Sequence, residues 1–280
     1  MSLIRVVSYN IHKGRSLAGR DSLGDLRLGL HGLRPDLMFL QEVQGRNDKY
    51  GSLHLQHESL AAALHMECAY GRNAVRKDTD HGNALLSRYK IVSFENQDIS
   101  DHSMEQRGLL HGLIDVGGRE VHCFVVHLGL FAGSRVRQIE VMAERINRLV
   151  PEGAPMLIAG DFNDWRDRLA PLFVQQLGVY EVFAHAPRTL GMMPKLRESM
   201  RQLGGVLRGE REEKLRVAMF RRQHTRVNQL SAEGAGNLMP SPRTFPAAFP
   251  WLRLDRIYQR GFAVRSARVL RGRPWTQLSD

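Results

Sequence analysis

Only two cysteines occur in the 280 residues, Cys68 and Cys123, far apart in sequence. That scarcity excludes a disulfide-stapled scaffold. Cys123 sits inside a strand-like run, so the expectation is two buried free thiols in a reducing cytoplasm, with a single structural bridge as the alternative. Long apolar runs are lacking as well. VHCFVVHLGLF is broken by His and Gly and is too short to span a bilayer. The opening MSLIRVVSYN shows no basic stretch ahead of an apolar one, so no secretory leader is expected. No phosphate-cradling P-loop, dinucleotide-binding glycine fingerprint or zinc-spaced histidine motif is present. These absences describe a cytoplasmic protein, long enough for one large domain or two small ones.

Acidic residues are the scarcer charge, 29 against 40 basic ones, which leaves a net +11. The excess is local. Positions 187–243 hold 12 Lys/Arg and 5 Asp/Glu, a net +7, whereas the other 28 and 24 leave only +4. Such a segment suits phosphates, on nucleic acid or on an anionic membrane; the alternative is a solvated helical face.

What is present is a rhythm of short apolar strands. IRVVSY, DLMFLQ, NALLS, LLHGLIDV, EVHCFVVHL, PMLIAG, LDRIYQ and FAVRSARVL are rich in Val, Ile, Leu and Phe, and several stop at Gly, Asn or Asp. Helical spacing marks GDLRLGLHGL, HESLAAALHM, SRVRQIEVMAERINRLV and RDRLAPLFVQQL. Gly117–Gly118 is placed as the turn of a hairpin. Hairpins mixed with helical crossovers predict an α/β fold of two mixed, packed sheets with helices outside. The stretch from about 187 to 243 breaks the rhythm and reads as an insertion of one or two amphipathic helices into a single domain spanning 1–280.

Five of the strands end in polar residues with chemistry to offer. They are Asn10, the pair Gln41–Glu42, His127, the Asp161/Asn163 pair of LIAGDFNDW, and Asp255. Asp161 and Asn163 stand one residue apart, so an extended segment would point them the same way. Each has a plain reading: Asp161 or Asp164 as a helix cap, a strand His as a hydrogen-bonded core residue, Asn as a turn former. Five together suggest an acidic pocket. Its oxygen donors favour Mg²⁺ or Mn²⁺ over zinc and point to metal-assisted hydrolysis of a phosphate ester.

SYNIHKG, FLQEV, HGNALLSR, VHLGL, GDFND and LDRIY occur here in the order found in the endonuclease/exonuclease/phosphatase superfamily. The sequence resembles that deoxyribonuclease I-like group, and its small bacterial members most of all. The resemblance implies a four-layer α/β/β/α sandwich with the site at one edge of the two sheets. By motif position Glu42 and Asn10 would bind the metal, joined by Asp280. Asp161 would orient or deprotonate the attacking water, Asn163 would contact the scissile phosphate, and His127 would stabilise charge developing on it. Arg107 stands where the family often has a phosphate-contacting residue, and Asp255 belongs to the LDRIY motif. The family's last motif is Ser-Asp-His followed by a final strand, with its His paired to the motif's Asp. Ser279–Asp280 resembles that motif cut before its His. The expectation is therefore an impaired phosphodiesterase with an unpaired edge that promotes association. DNA or RNA is the leading substrate class. The alternatives are a phospholipid or other phosphate ester at a membrane surface reached through the basic insertion, and a non-catalytic phosphate-binding module. Trp165 and Trp251 stand near the expected site, for stacking on a ligand or for packing on the sheet.

Overall fold

The computed structural model describes residues 3–16, 19–165, 169–186, 242–245, 252–271 and 275. Nearly all of the 187–243 insertion, Trp251, Ser279 and Asp280 therefore lie outside the described residues. Two sheets stack face to face. The first has four strands in the order β1-β2-β4-β3, namely β1 (Val6–Asn10), β2 (Leu37–Asn47), β3 (Glu67–Val75) and β4 (Thr79–Ser87). The second runs β5-β6-β7-β8-β10-β9, with β5 (Lys90–Asp98), β6 (Gly108–Asp115), β7 (Glu120–His127), β8 (Met156–Asp161), β9 (Tyr180–Glu181) and β10 (Asp255–Arg260). Only β1–β2 and β7–β8 are parallel among these pairs; each is bridged by a helical crossover, as a parallel pair requires.

Strand alternation builds three apolar layers. Leu37 and Phe39 of β2, Leu85 of β4, Cys123 and Val125 of β7, and Leu157 and Ala159 of β8 meet between the sheets. One residue out of phase, Met38 and Leu40 face outward under Leu26 and Leu30 of α1 (Leu23–Leu33) and Leu60 and Leu64 of α2 (Gln56–Leu64). On the other side Phe124, Val126, Met156 and Ile158 lie under α3 (Ala132–Leu149) and α4 (Ala170–Leu177). Strands buried on both faces read as continuous apolar runs, and each fully buried Leu or Phe contributes about 1.5–3 kcal/mol. The α/β/β/α sandwich follows directly. A short α5 (Val182–His185) follows β9.

Gly117 and Gly118 close the β6–β7 hairpin at φ +62° and +84°, where a Cβ would be strained. The helix α4 begins at Ala170, with Pro171 in its first turn, where a missing N–H costs nothing, and 166–168 of the expected helix lie outside the described residues. Both thiols are free. Cys123 is buried between the sheets, while Cys68 is only half-buried on the α1/α2 side. Residues 262–270, read as a strand from their Val, Leu and Phe content, carry no ladder. A strand needs a neighbour, and the two flanks of β10 are already taken by β8 and, at Tyr258 and Gln259, by β9. Conversely β3 and β5 escaped the sequence reading. Both are edge strands, and β5 is largely exposed, so neither shows the apolar run of a central strand. Among the described residues no helix is long and apolar enough to cross a membrane.

On the sheet face beneath α3, His111 Nε2 and His122 Nδ1 lie 3.0 Å apart, and His111 stacks on Phe124. Burial, then the charge of His122, lowers the pKa of His111 to about 4. The unfolded chain takes up this proton near 6.5, whereas the fold refuses it until about 4. Stability should therefore fall as pH drops between those values, by roughly 1–3 kcal/mol. Urea unfolding from pH 7 to 4.5 should show a flatter acid limb for His111→Leu than for the parent chain.

Candidate active site

The first sheet delivers two oxygen donors. Parallel pairing sets Asn10 opposite Gln41, so Glu42 follows immediately beside the end of β1. Against β4, β2 pairs Leu40 with Ala84 and then Val43 with Gly82, which leaves two residues facing one. This bulge contains Gln41 and Glu42, and Glu42 adopts φ +52°. It also flips the phase of the strand: Val43 joins Met38 and Leu40 under the helices, although strict alternation would turn it inward. Glu42 is thereby released from both packed layers to the strand's rim.

The second sheet supplies a row across three strands. His127 pairs with Asp161 in the β7–β8 register, and Asp161 pairs with Asp255 in the β8–β10 register. His127 Nε2 lies 3.8 Å from Asp161 Oδ2. Asp161 Oδ1 accepts the Asn163 N–H at 2.9 Å, its carboxylate is also hydrogen-bonded by the Asn10 side chain, and Asn163 Nδ2 donates to the Leu128 carbonyl at 2.8 Å. Strand alternation is not what gathers Asp161 and Asn163, because Asn163 turns at φ +49°. The turn replaces the extended segment expected from sequence. Neither aspartate caps α4, whose N-cap is Leu169; Asp164 instead accepts the Leu169 N–H at 2.7 Å just ahead of the helix.

Asn10, Glu42, Arg107, His127, Asp161, Asn163 and Asp255 all line one cavity of about 800 Å³. Asp280 lies outside the described residues. Arg107 approaches Glu105 at 3.7 Å, and its buried Nε has no hydrogen-bond partner among the described residues, a donor suited to an anion. Three residues not singled out from sequence stand around Glu42, outside that lining. Lys13 Nζ donates to Glu42 Oε2 at 2.8 Å, His12 Nδ1 lies 3.9 Å from the same oxygen, and His81 on β4 feels the charges of Lys13, Glu42 and Arg107. Their signal was at hand, since all three stand within NIHKG and HGNALLSR.

The two sheets hold their carboxylates in opposite electrostatic states. Burial pushes Glu42 up, but the charges of His127, Lys13 and His12 outweigh it and hold it at about 2. Asp161 is raised by burial and by Asp255, more than His127 and the Asn163 and Asn10 hydrogen bonds offset. Burial raises Asp255 too, against a Thr244 hydroxyl bond. Burial lowers His127 despite Asp161, and lowers His81 to about 4. Neutral pH thus leaves Glu42 ionised, both histidines neutral, and the Asp161–Asp255 pair with heightened proton affinity.

Among the described residues no group of three or more His, Cys, Asp and Glu side chains is arranged to hold a metal. One carboxylate, Glu42, with the Asn10 amide nearby still suits the sparse protein ligation of Mg²⁺, which keeps several waters. The Lys13 ammonium seated on Glu42 shows that the carboxylate accepts a cation at this position.

Residues 7–280 match the Endonuclease/Exonuclease/phosphatase family. The chain belongs to that family. It is 34% identical to the uncharacterized protein YbhP of Escherichia coli over 286 residues, covering 99% of this chain and 92% of that one, and matches YbhP of Shigella flexneri equally. A functionally unknown conserved protein from Enterococcus faecalis shares the fold at TM-score 0.62 and 16% identity, over 98% of this chain and 94% of that one. A mannosyl-6-phosphatase of Bacteroides thetaiotaomicron follows at 0.58 and 15%, over 92% and 86%. D. rerio TDP2 complexed with single strand DNA product gives 0.54 and 20%, over 92% and 83%.

The family's GDFND segment begins with a glycine for a steric reason. Gly160 has φ +151°, and a Cβ there would strike the Val126 carbonyl on the neighbouring strand. Gly160→Ala should cost at least about 1–3 kcal/mol in thermal or urea unfolding and displace Asp161 one residue on.

Proposed function

We propose that the chain is a divalent-metal-dependent phosphodiesterase, nuclease-like, which hydrolyses its substrate by in-line attack of an activated water. The observation that carries this reading is the joint cavity: a bulge-released Glu42 beside Asn10 faces the His127–Asp161–Asp255 row. Asp161 takes the proton of the attacking water, and its raised proton affinity suits a base working near neutral pH. Neutral His127 donates a hydrogen bond to the phosphate as charge builds there, and Asn163 and Arg107 hold the remaining phosphate oxygens. Asp255 sustains the basicity of Asp161 from the adjacent strand. Glu42 and Asn10 would hold Mg²⁺ or Mn²⁺, with Asp280 as a further ligand. Bound there, the cation neutralises charge on the phosphoryl group.

DNA or RNA is the substrate class we favour, on the net charge of +11 and its concentration in positions 187–243. Relatives described as a mannosyl-6-phosphatase and as a complex with single-strand DNA product show one fold serving unlike phosphate esters, so the surroundings of the site decide. One observation favours a second reading. Met104, Leu130, Phe131 and Trp165 are exposed, and Leu130 and Trp165 line the cavity. An apolar rim at a phosphoester site suits the acyl part of a phospholipid at a membrane surface.

Mg²⁺-dependent hydrolysis of bis(p-nitrophenyl) phosphate should drop roughly 10²–10⁴-fold in Asp161→Ala. The same assay on DNA, RNA and anionic phospholipid vesicles assigns the substrate. Selective loss of vesicle hydrolysis in Phe131→Ser would establish the lipid reading over the nucleic-acid one. Metal binding without hydrolysis of any ester would leave a non-catalytic phosphate-binding module.

A further inference from the structure

The segment after β1 is held in a conformation that ordinary residues avoid. His12, Lys13 and Gly14 have φ of +47°, +58° and +68°, three left-handed residues in succession, two of them without glycine's freedom. Such backbone persists only where its surroundings over-determine it. Here they do. The His12 N–H donates to Asn10 Oδ1 at 3.1 Å. From α2, Gln56 reaches across, fully buried, and its Nε2 donates to the Lys13 carbonyl at 2.8 Å while its Oε1 accepts the Gln44 N–H at 2.9 Å. Gly14 passes so close to Gln56 that a Cβ would meet its Nε2 at 2.5 Å, and the Gly14 carbonyl accepts the Ser22 N–H at 2.9 Å.

All of this bracing fixes the base of one side chain. Lys13 is 40% exposed, and a lysine of that kind normally gains little from an ion pair and wanders. Its partner is different. The Glu42 side chain is only 17% exposed, sits on a bulge at the cavity's edge, and meets the ammonium at 2.8 Å. Gln56 links the two partners mechanically, since it bonds the Lys13 carbonyl and the backbone of Gln44, two residues beyond Glu42.

We propose that Lys13 is the resident counter-cation of Glu42, seated on the carboxylate by a braced left-handed turn, and that a divalent cation binds Glu42 only by displacing it. This inference rests on the reading of Glu42 as a metal ligand. Its consequence is that the chain itself sets the metal affinity. A half-buried carboxylate is never left bare, and the ion must compete with a tethered ammonium before it gains the site.

The test is Mn²⁺ titration of the full chain, followed by calorimetry or electron paramagnetic resonance. Lys13→Met, which keeps the side chain's bulk, should bind Mn²⁺ about tenfold more tightly than the parent, and Lys13→Arg should restore the weaker affinity. In EDTA, Lys13→Met should melt several degrees below the parent, about 4 °C or more, and saturating Mn²⁺ should close the gap. A purely structural lysine would leave Mn²⁺ affinity unchanged or a melting gap that Mn²⁺ does not close, and either result overturns the proposal. Lys13→Gln serves if Lys13→Met does not fold. Glu42→Gln separates the two levels: retained Mn²⁺ affinity there refutes the metal-ligand reading itself, whereas lost affinity with an unaltered Lys13→Met refutes only the displacement.

Discussion

The site depends on the hydrogen-bond ladder on either side of β8. Parallel pairing with β7 and antiparallel pairing with β10 leave no freedom in which residues stand beside Asp161. They are His127 and Asp255. A slip of one residue in either register would turn the whole apolar set of that strand to its other face. The cost of forcing Phe124, Ile158 or Tyr258 into the wrong, already close-packed apolar layer therefore enforces the juxtaposition of three polar residues that share no sequence proximity.

The carboxylates of the one cavity acquire two opposite characters, set by what surrounds them. Glu42 emerges from the four-stranded sheet among Lys13, His12 and His127, whose positive charge at the acid pH where Glu42 would take up a proton prevails over its burial. Asp161 and Asp255 emerge from the six-stranded sheet side by side, and burial with like charge prevails over His127. The first is suited to hold a cation and the second to receive a proton. Environment, not residue type, makes that division.

The sequence carried the strand ends better than the strands. Asn10, His127 and Asp161 were recognisable because apolar strands read as continuous runs, and a polar residue at the end of such a run is conspicuous. Glu42 and Asp255 were read as strand ends too, but Glu42 lies at a bulge inside β2 and Asp255 opens β10. Edge strands β3 and β5 carry no such contrast, and 262–270 has the Val, Leu and Phe of a strand yet carries no ladder, because pairing is a property of the neighbour. How Asn163 is placed was also hidden: the residue was recognised, but its left-handed turn was not. Lys13 was overlooked for a similar reason. A lysine next to glycine looks like a solvated turn until Gln56, more than forty positions on, is seen gripping its carbonyl.

Because each sheet supplies part of the cavity's polar lining, the layer between them belongs to the candidate site as much as that lining does. Phe39 lies three residues before Glu42, Ala159 two before Asp161 and Val125 two before His127, and all are packed in the inter-sheet core. Their volumes fix how far Glu42 stands from the His127–Asp161–Asp255 row. Reacting groups tolerate little error of this kind; a displacement of about 1 Å can cost roughly 10²-fold in rate. Close packing without voids keeps such a displacement from occurring at little energetic cost. Ala159 is the sharpest case. Its small side chain lets β8 approach the facing sheet, and a larger residue there would wedge the two halves apart while leaving every polar group in the cavity chemically intact.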